Sequence, residues 1–422
     1  MLPFDKEWTY RCSSDFTLQK TFRRTTLTAL WPPDLRALWL VTVINQLGVG
    51  ILQVTLGWLI FALTDSSAMV GVVFALRSAP NLIVGFVAGA LTDRFDRRRL
   101  MRLTVFGMAL VSLAMAWLHA ADRLDIWHVL VYASVVGTLF SFETTARHTY
   151  VYDLTGAHGA LQGLAMNSLA QRVGGAVGAL LAGATLQWWG IGETFLITGL
   201  CYGIGGCALS ALRHHGAAAP MSREPLWQNI RTYMQALRSH RVMQSLMIST
   251  AASEILGFSH QVLLPAIADN VLHVGAAGLG VLTTFRFVGG MLGVVLLTIL
   301  GPVQRQGRLL LVVLALFGIG QILLGQATAF WLAVVCVMGI NVMATATDVL
   351  HYALLQLHVS NEQRGRAMGS WVVGTGTAPL GHLEIGYLAG LTSTSLALVS
   401  HGMALIALPL VLLLLLPELR RL

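Results

Sequence analysis

The chain has 422 residues, of which 55% are hydrophobic and 11% charged, with mean hydropathy +0.70. So little polar surface cannot enclose a water-soluble body of this size, and lipid is the expected solvent. The formal charge of +8 would suit nucleic acid, but all but two of the 27 basic residues are arginine and most lie between apolar runs; no nucleic-acid partner is expected.

Residues 1–36 open with Met1-Leu-Pro-Phe-Asp5-Lys6-Glu7, a polar start without the apolar core of a cleavable signal peptide, and read as a cytoplasmic tail. Apolar runs of about 20 residues then predict helices near 37–63, 69–92, 100–120, 126–150, 160–187 and 191–212. A second set falls near 242–267, 276–300, 308–325, 329–355, 366–390 and 395–416. The expected organisation is an all-α membrane protein of two six-helix bundles, 37–212 and 242–416, joined by a linker over 213–241 and ending in a short tail, 417–422. Lys and Arg fix the orientation: 22 of the 27 lie in tails and alternate loops, and the opposite loops hold only Arg123. By the positive-inside rule both termini are cytoplasmic, as in a multi-pass protein of the bacterial inner membrane.

Between the first two spans of the chain and the third stands Gly89-Ala-Leu-Thr-Asp93-Arg94-Phe-Asp96-Arg97-Arg98-Arg99, a dense charge cluster between apolar segments. At the end of the fourth span comes Phe142-Glu143-Thr-Thr-Ala146-Arg147, and on the fifth Asn167-Ser-Leu-Ala-Gln171-Arg172-Val-Gly-Gly175. Before the eleventh stands Leu355-Gln356-Leu-His-Val-Ser-Asn-Glu362-Gln-Arg364-Gly365-Arg366. Together these segments resemble the major facilitator superfamily, in the drug and siderophore exporter branch that holds the enterobactin and macrolide-type exporters. The resemblance implies that fold, transport instead of catalysis, and a cytoplasmic gate formed by Gly89, Asp93, Arg94, Arg97, Arg147, Glu362 and Arg366. Two departures stand out: the first helix reads Gln46-Leu47-Gly48-Val49-Gly50 where the family usually has an acid, and the fifth has Gly175-Ala176 in place of Gly-Pro. A simple transfer of the family's proton-coupling residue is therefore not available.

The linker carries His214, His215, Gly216 and Pro220, then Leu226, Ile230, Met234 and Leu237 at helical spacing opposite Gln228, Arg231, Gln235 and Arg238. This reads as an amphipathic helix on the membrane surface, and the same pattern would fit a calmodulin-like partner. The two halves also repeat. A shift of 203 superposes Gly178 on Gly381, Gly183 on Gly386, Gly199 on Gly402 and His148 on His351, while a shift of 209 places Gly71 and Arg77 on Gly280 and Arg286. Small-residue helices related by duplication are expected of a rocking transporter with its site between the repeats.

A charge near the middle of a membrane helix costs roughly 3 kcal/mol on insertion scales, so Arg77, Arg172, Arg286, Glu143, Glu254 and Asp348 should face protein or water. Mutual pairing would make them structural. Read functionally, Arg77, Arg172 and Arg286 line a substrate cavity whose guanidinium groups grip carboxylate or catecholate oxygens by forked hydrogen bonds. Asp348 and Glu254 are the leading proton-exchange candidates, with His351, three residues along from Asp348 and expected to bond it, as an accessory. Glu143 is weaker because Arg147 stands one turn away. The histidines His148, His260 and His382 are scattered, no Cys-x-x-Cys occurs, and neither a P-loop nor a catalytic triad stands in a credible setting, so no metal, cofactor or enzymatic activity is expected. The composite expectation is a secondary transporter that exports a small polar anion such as a siderophore against protons. Its alternatives are a multidrug exporter and, from another class, a transporter-like sensor or scaffold.

Overall fold

The computed structural model describes residues 33–94, 96–212, 241–301, 305–357 and 373–415. The expected N-terminal tail up to residue 32, the linker helix, Glu362, Arg366 and the C-terminal tail lie outside the described residues. Twelve helices follow in chain order. The first bundle comprises α1 Pro33–Thr64, α2 Ser67–Arg94, α3 Arg97–Ala120, α4 Ile126–Gly156, α5 Gln162–Trp188 and α6 Ile191–Ser210. The second comprises α7 Arg241–Leu256, α8 Gly275–Leu300, α9 Gln306–Gly325, α10 Phe330–Leu357, α11 Ala378–Leu391 and α12 Thr394–Leu415. Among the described residues, nine are long and apolar enough to cross a bilayer on their own. This is the all-α major facilitator fold.

Local chemistry sets the ends. Asp96 caps α3, its carboxylate accepting from the Arg99 N–H at 3.1 Å, and Asp125 caps α4 in a reciprocal box with His128. Arg98 reaches across to the C-terminus of α6, donating to the carbonyls of Leu209 and Ser210 at 3.2 and 2.6 Å. The chain turns from α4 into α5 at Gly156, where φ is +64°, a backbone shape that costs glycine nothing.

The seventh span departs from the continuous helix expected over 242–267. After Leu256 it becomes a 3-10 turn, Phe258–Leu263, then a single α-turn, Leu264–Ala266, then a π-turn, Ile267–Val271. Where the winding changes, side chains take up carbonyls at the end of α7. Gln321 on α9 donates to the carbonyls of Leu256 and Gly257 at 3.0 and 2.7 Å, and Ser259 donates to that of Glu254 at 3.3 Å. His260 and His401 each place Nδ1 on one of these oxygens, Gly257 at 2.8 Å and Leu256 at 3.2 Å. Each unsatisfied group would cost several kcal/mol in lipid, so the break survives only because of these donors.

The bundles meet along α2 with α11 and α5 with α8, and α1 lies against the broken seventh span. Here the repeated glycines find their role. A methyl placed on Gly280 would stand 2.7 Å from Cα of Gly183, and one on Gly386 would stand 3.2 Å from Cα of Gly71. Of the glycines paired by the internal shifts, Gly71, Gly183, Gly280 and Gly386 are thus points where the two halves touch, and Gly178, Gly199, Gly381 and Gly402 pack within their own half. The duplication extends to the turns: Asp65 between α1 and α2 and His273 before α8, 208 positions apart, both have positive φ, 45° and 53°.

Candidate functional site

Between the bundles lies a cavity of about 420 Å³. Arg77 enters it from α2, Arg172 from α5 and Arg286 from α8, so the three intramembrane arginines are brought together around one space. Among the described residues none of them forms an ion pair, and Nη1 of Arg286 is buried without a hydrogen-bond partner. Arg286 also lies over the ring of Phe287, with its guanidinium carbon 5.7 Å from the centroid. The Arg172 guanidinium occupies the space that a side chain at position 290 would fill, so Gly290 is what admits it. The wall is completed by amides and hydroxyls, including Gln46, Gln171, Asn81 and Ser168, and by Phe74 and Phe140. Converging donors, few acceptors without a donor of their own, and aromatic surface are groups that can hydrogen-bond and pack against a small organic anion.

One end of this cavity is roofed by hydrogen bonds between the bundles. Gln53 on α1 donates its amide N–H to Gln261 at 3.0 Å, and the Gln261 nitrogen stands 2.9 Å from Nε2 of His382. Nδ1 of His382 meets the Ser78 hydroxyl at 3.2 Å, while that hydroxyl donates to the Phe74 carbonyl at 2.8 Å. One assignment satisfies every atom: Gln261 donates to Nε2, and Nδ1–H donates to Ser78. Gln53 and Gln261 are 208 positions apart, so they are the same residue of the two repeats, bonded across the pseudo-two-fold axis. Sequence reading passed over both glutamines; extending the repeat alignment through α1 would have found them.

Other expected site residues fall outside the cavity. Glu143 and Arg147 form a buried ion pair at 3.0 Å, and Arg147 also approaches the Asn167 side-chain oxygen at 3.5 Å, so Arg147 is engaged inside the first bundle. Arg97 pairs with Asp153 near the end of α4. Gly89, Asp93 and Arg94 lie on the last turns of α2, and their side chains fall outside the described residues. Asp348 on α10 is half-buried and Glu254 on α7 is buried, and neither lines the cavity. The expected Asp348–His351 bond is not present. His351 puts Nε2 on the Ser249 hydroxyl at 2.8 Å and Nδ1 on the Thr347 carbonyl at 3.0 Å, because its ring turns inward to α7 and leaves Asp348 beside it on the helix.

The chain is 28% identical to the enterobactin exporter EntS of Citrobacter koseri, over 92% of this chain and 93% of that one. It is 24% identical to the staphyloferrin A transporter of Staphylococcus aureus, over 80% and 85% of the respective chains. Among solved structures, the nucleoside transporter NupG superposes with a TM-score of 0.73 at 11% identity, covering 91% of this chain and 99% of the other. A bacterial homologue of the human lysosomal transporter Spinster, inward-facing and unoccupied, gives 0.66 at 14% identity over 92% and 95%. These structural likenesses speak for the fold. The family of transmembrane secretion effectors matches residues 24–421, nearly the whole chain, and the protein belongs to it as a transporter of the major facilitator superfamily.

Proposed function

We propose that this transporter exports a small polar anion, a siderophore or a metabolite of similar chemistry, from the cytoplasm across the bacterial inner membrane by alternating access and proton antiport. The observation that carries the reading is the set of three guanidinium groups, Arg77, Arg172 and Arg286, around one cavity with no carboxylate paired to them among the described residues. A lipophilic cation would meet repulsion there, whereas a carboxylate or catecholate replaces the missing counter-charge. The names of the relatives, a staphyloferrin A transporter and an enterobactin exporter, support the same substrate class. The Lys and Arg distribution supports cytoplasmic termini, and with that orientation the hydrogen-bonded roof lies toward the outer side.

In this reading the cytoplasmic gate is built from Gly89, Asp93, Arg94, Arg97, Arg147, Glu362 and Arg366, and proton exchange is carried by Asp348 and Glu254, with His351 and Glu143 held in structural bonds beside them. The test is binding to purified protein of iron-free staphyloferrin A and of a cationic dye, for wild type and for Arg77→Gln, Arg172→Gln and Arg286→Gln. Each substitution should weaken the anion at least tenfold and leave the dye within about twofold, since a charge-assisted hydrogen bond contributes about 1.5–3 kcal/mol. Equal losses for both ligands would instead favour a multidrug exporter with structural arginines.

A further inference from the structure

Outside the cavity, a second pair of ionisable groups sits where the membrane should forbid it. Glu384 lies halfway along α11 on a stripe with Leu380, Leu383, Tyr387 and Leu391, all exposed on the outside of the bundle. Two residues before it, and about 200° round the helix, His382 faces the cavity, so Glu384 faces lipid. Its side chain is 49% exposed and its Oε2 stands 2.7 Å from Nε2 of His401 on α12, which is 3% exposed. The contact is close without being in line, and Nε2 has no other partner. The second nitrogen of His401 reaches the Leu256 carbonyl, an oxygen released by the break in the seventh span.

We infer that Glu384 and His401 form a proton-binding site on the lipid-facing side of the second bundle, and that its occupancy controls the break in the seventh span. Because Nδ1 faces a carbonyl it must carry a hydrogen, so Nε2 and the carboxylate can share only one further proton. With that proton the pair is neutral overall, either as acid and imidazole or as carboxylate and imidazolium. Without it, two acceptors confront each other at 2.7 Å and a bare carboxylate faces hydrocarbon, so the pair parts, the His401 ring loses its anchor, and the Leu256 carbonyl comes to depend on Gln321. The same broken segment carries Gln261 into the cavity roof, which connects the proton to the gate between the bundles. Among the described residues, the other titratable or charged groups on the packed elements are Glu254 on α7, His260 on the 3-10 turn, His382 and Tyr387 on α11, Arg77 on α2 and Arg308 at the start of α9. Arg77 and His382 face the cavity, and His260 is bonded to the Gly257 carbonyl and to Asn341.

The inference rests on the proton-coupled reading, but its test needs no substrate. A lipid-soluble carbodiimide adds across a protonated carboxyl: the acid proton moves to one carbodiimide nitrogen, a carbon–oxygen bond forms, and rearrangement leaves a stable acylurea with no leaving group. Dicyclohexylcarbodiimide added to the full protein in liposomes should modify Glu384 at acidic pH, located by peptide mass spectrometry, whereas a water-soluble carbodiimide should not. Hydrogen exchange over residues 256–264 supplies the second readout. Glu384→Gln keeps a donor toward His401 and cannot lose it, so at alkaline pH wild type should exchange there about tenfold faster than this variant, the effect of one lost hydrogen bond. Absence of labelling at Glu384 in wild type, or equal exchange of the two proteins at both pH values, overturns the proposal. A cavity that fails to bind anions while labelling and exchange behave as stated would instead sink the substrate reading and leave this site standing.

Discussion

A guanidinium in a membrane needs room as well as partners, and Gly290 shows how the room is made. Any side chain there would occupy the position of the Arg172 head group, which is the far end of a flexible chain and can yield. Gly290→Ala should therefore leave thermal unfolding within a few degrees of wild type yet weaken anion binding about as much as Arg172→Gln. Anion affinity unchanged by the methyl would show that Arg172 has no fixed role in the cavity. At the gate, Asp93 is proposed to accept from the N-terminus of the eleventh span and to pair with Arg147 or Arg366 in the outward-open state; in the described conformation Arg147 is paired with Glu143. Asp93→Asn should insert and fold normally and reduce export at least tenfold, and wild-type export by that variant would remove Asp93 from the gate. The arginines were legible in the sequence because an unexplained charge in an apolar run must face protein or water. His382 and Glu384 were not: one reads as a stray histidine and the other as an ordinary helix acid, and only three-dimensional packing reveals that they stand on opposite faces of α11.

At the level of elements, the seventh span is held open by a few polar side chains, and Gln321 is the chief of them, buried and donating to two carbonyls at once. Gln321→Leu keeps the volume but leaves the Gly257 carbonyl to His260 and that of Leu256 to His401. With donors remaining at both oxygens, a loss of about 1–3 kcal/mol is expected, read as a lower midpoint in thermal unfolding of the detergent-solubilised protein. A variant as stable as wild type would mean that water enters the break and replaces the amide. Most helix ends were readable to within a few residues, since run length, Asp caps and glycine turns each mark them. The break was not, although Pro265 and a polar run, Ser259 to Gln261, stand in it, because periodicity cannot distinguish α from 3-10 or π winding. The repeat was legible as spaced glycines, but which glycine touches which depends on the pseudo-two-fold axis: Gly183 meets Gly280, the copy of Gly71, and not its own copy Gly386.

For the whole molecule, the sign of the cargo decides what energy is available. An inside-negative potential contributes about 2.3 kcal/mol per elementary charge per 100 mV, and it drives anions outward and protons inward alike. Exchange of a proton for an anion of charge n therefore moves n + 1 charges in one electrical direction, with no opposing term. A cavity of three unpaired guanidiniums is thus suited to export driven largely by voltage. In potassium-free inside-out proteoliposomes diluted into potassium medium, valinomycin makes the lumen positive, the physiological sense for this orientation, and should accelerate uptake of iron-free staphyloferrin A severalfold even without a pH difference. Asp348→Asn combined with Glu254→Gln should retain this voltage response and lose the additional drive from an imposed pH gradient, since neither carboxyl lines the cavity that holds the charge of the cargo. Transport indifferent to voltage would require an electrically silent cycle, and would mean that the arginines are neutralised by groups moving with the substrate.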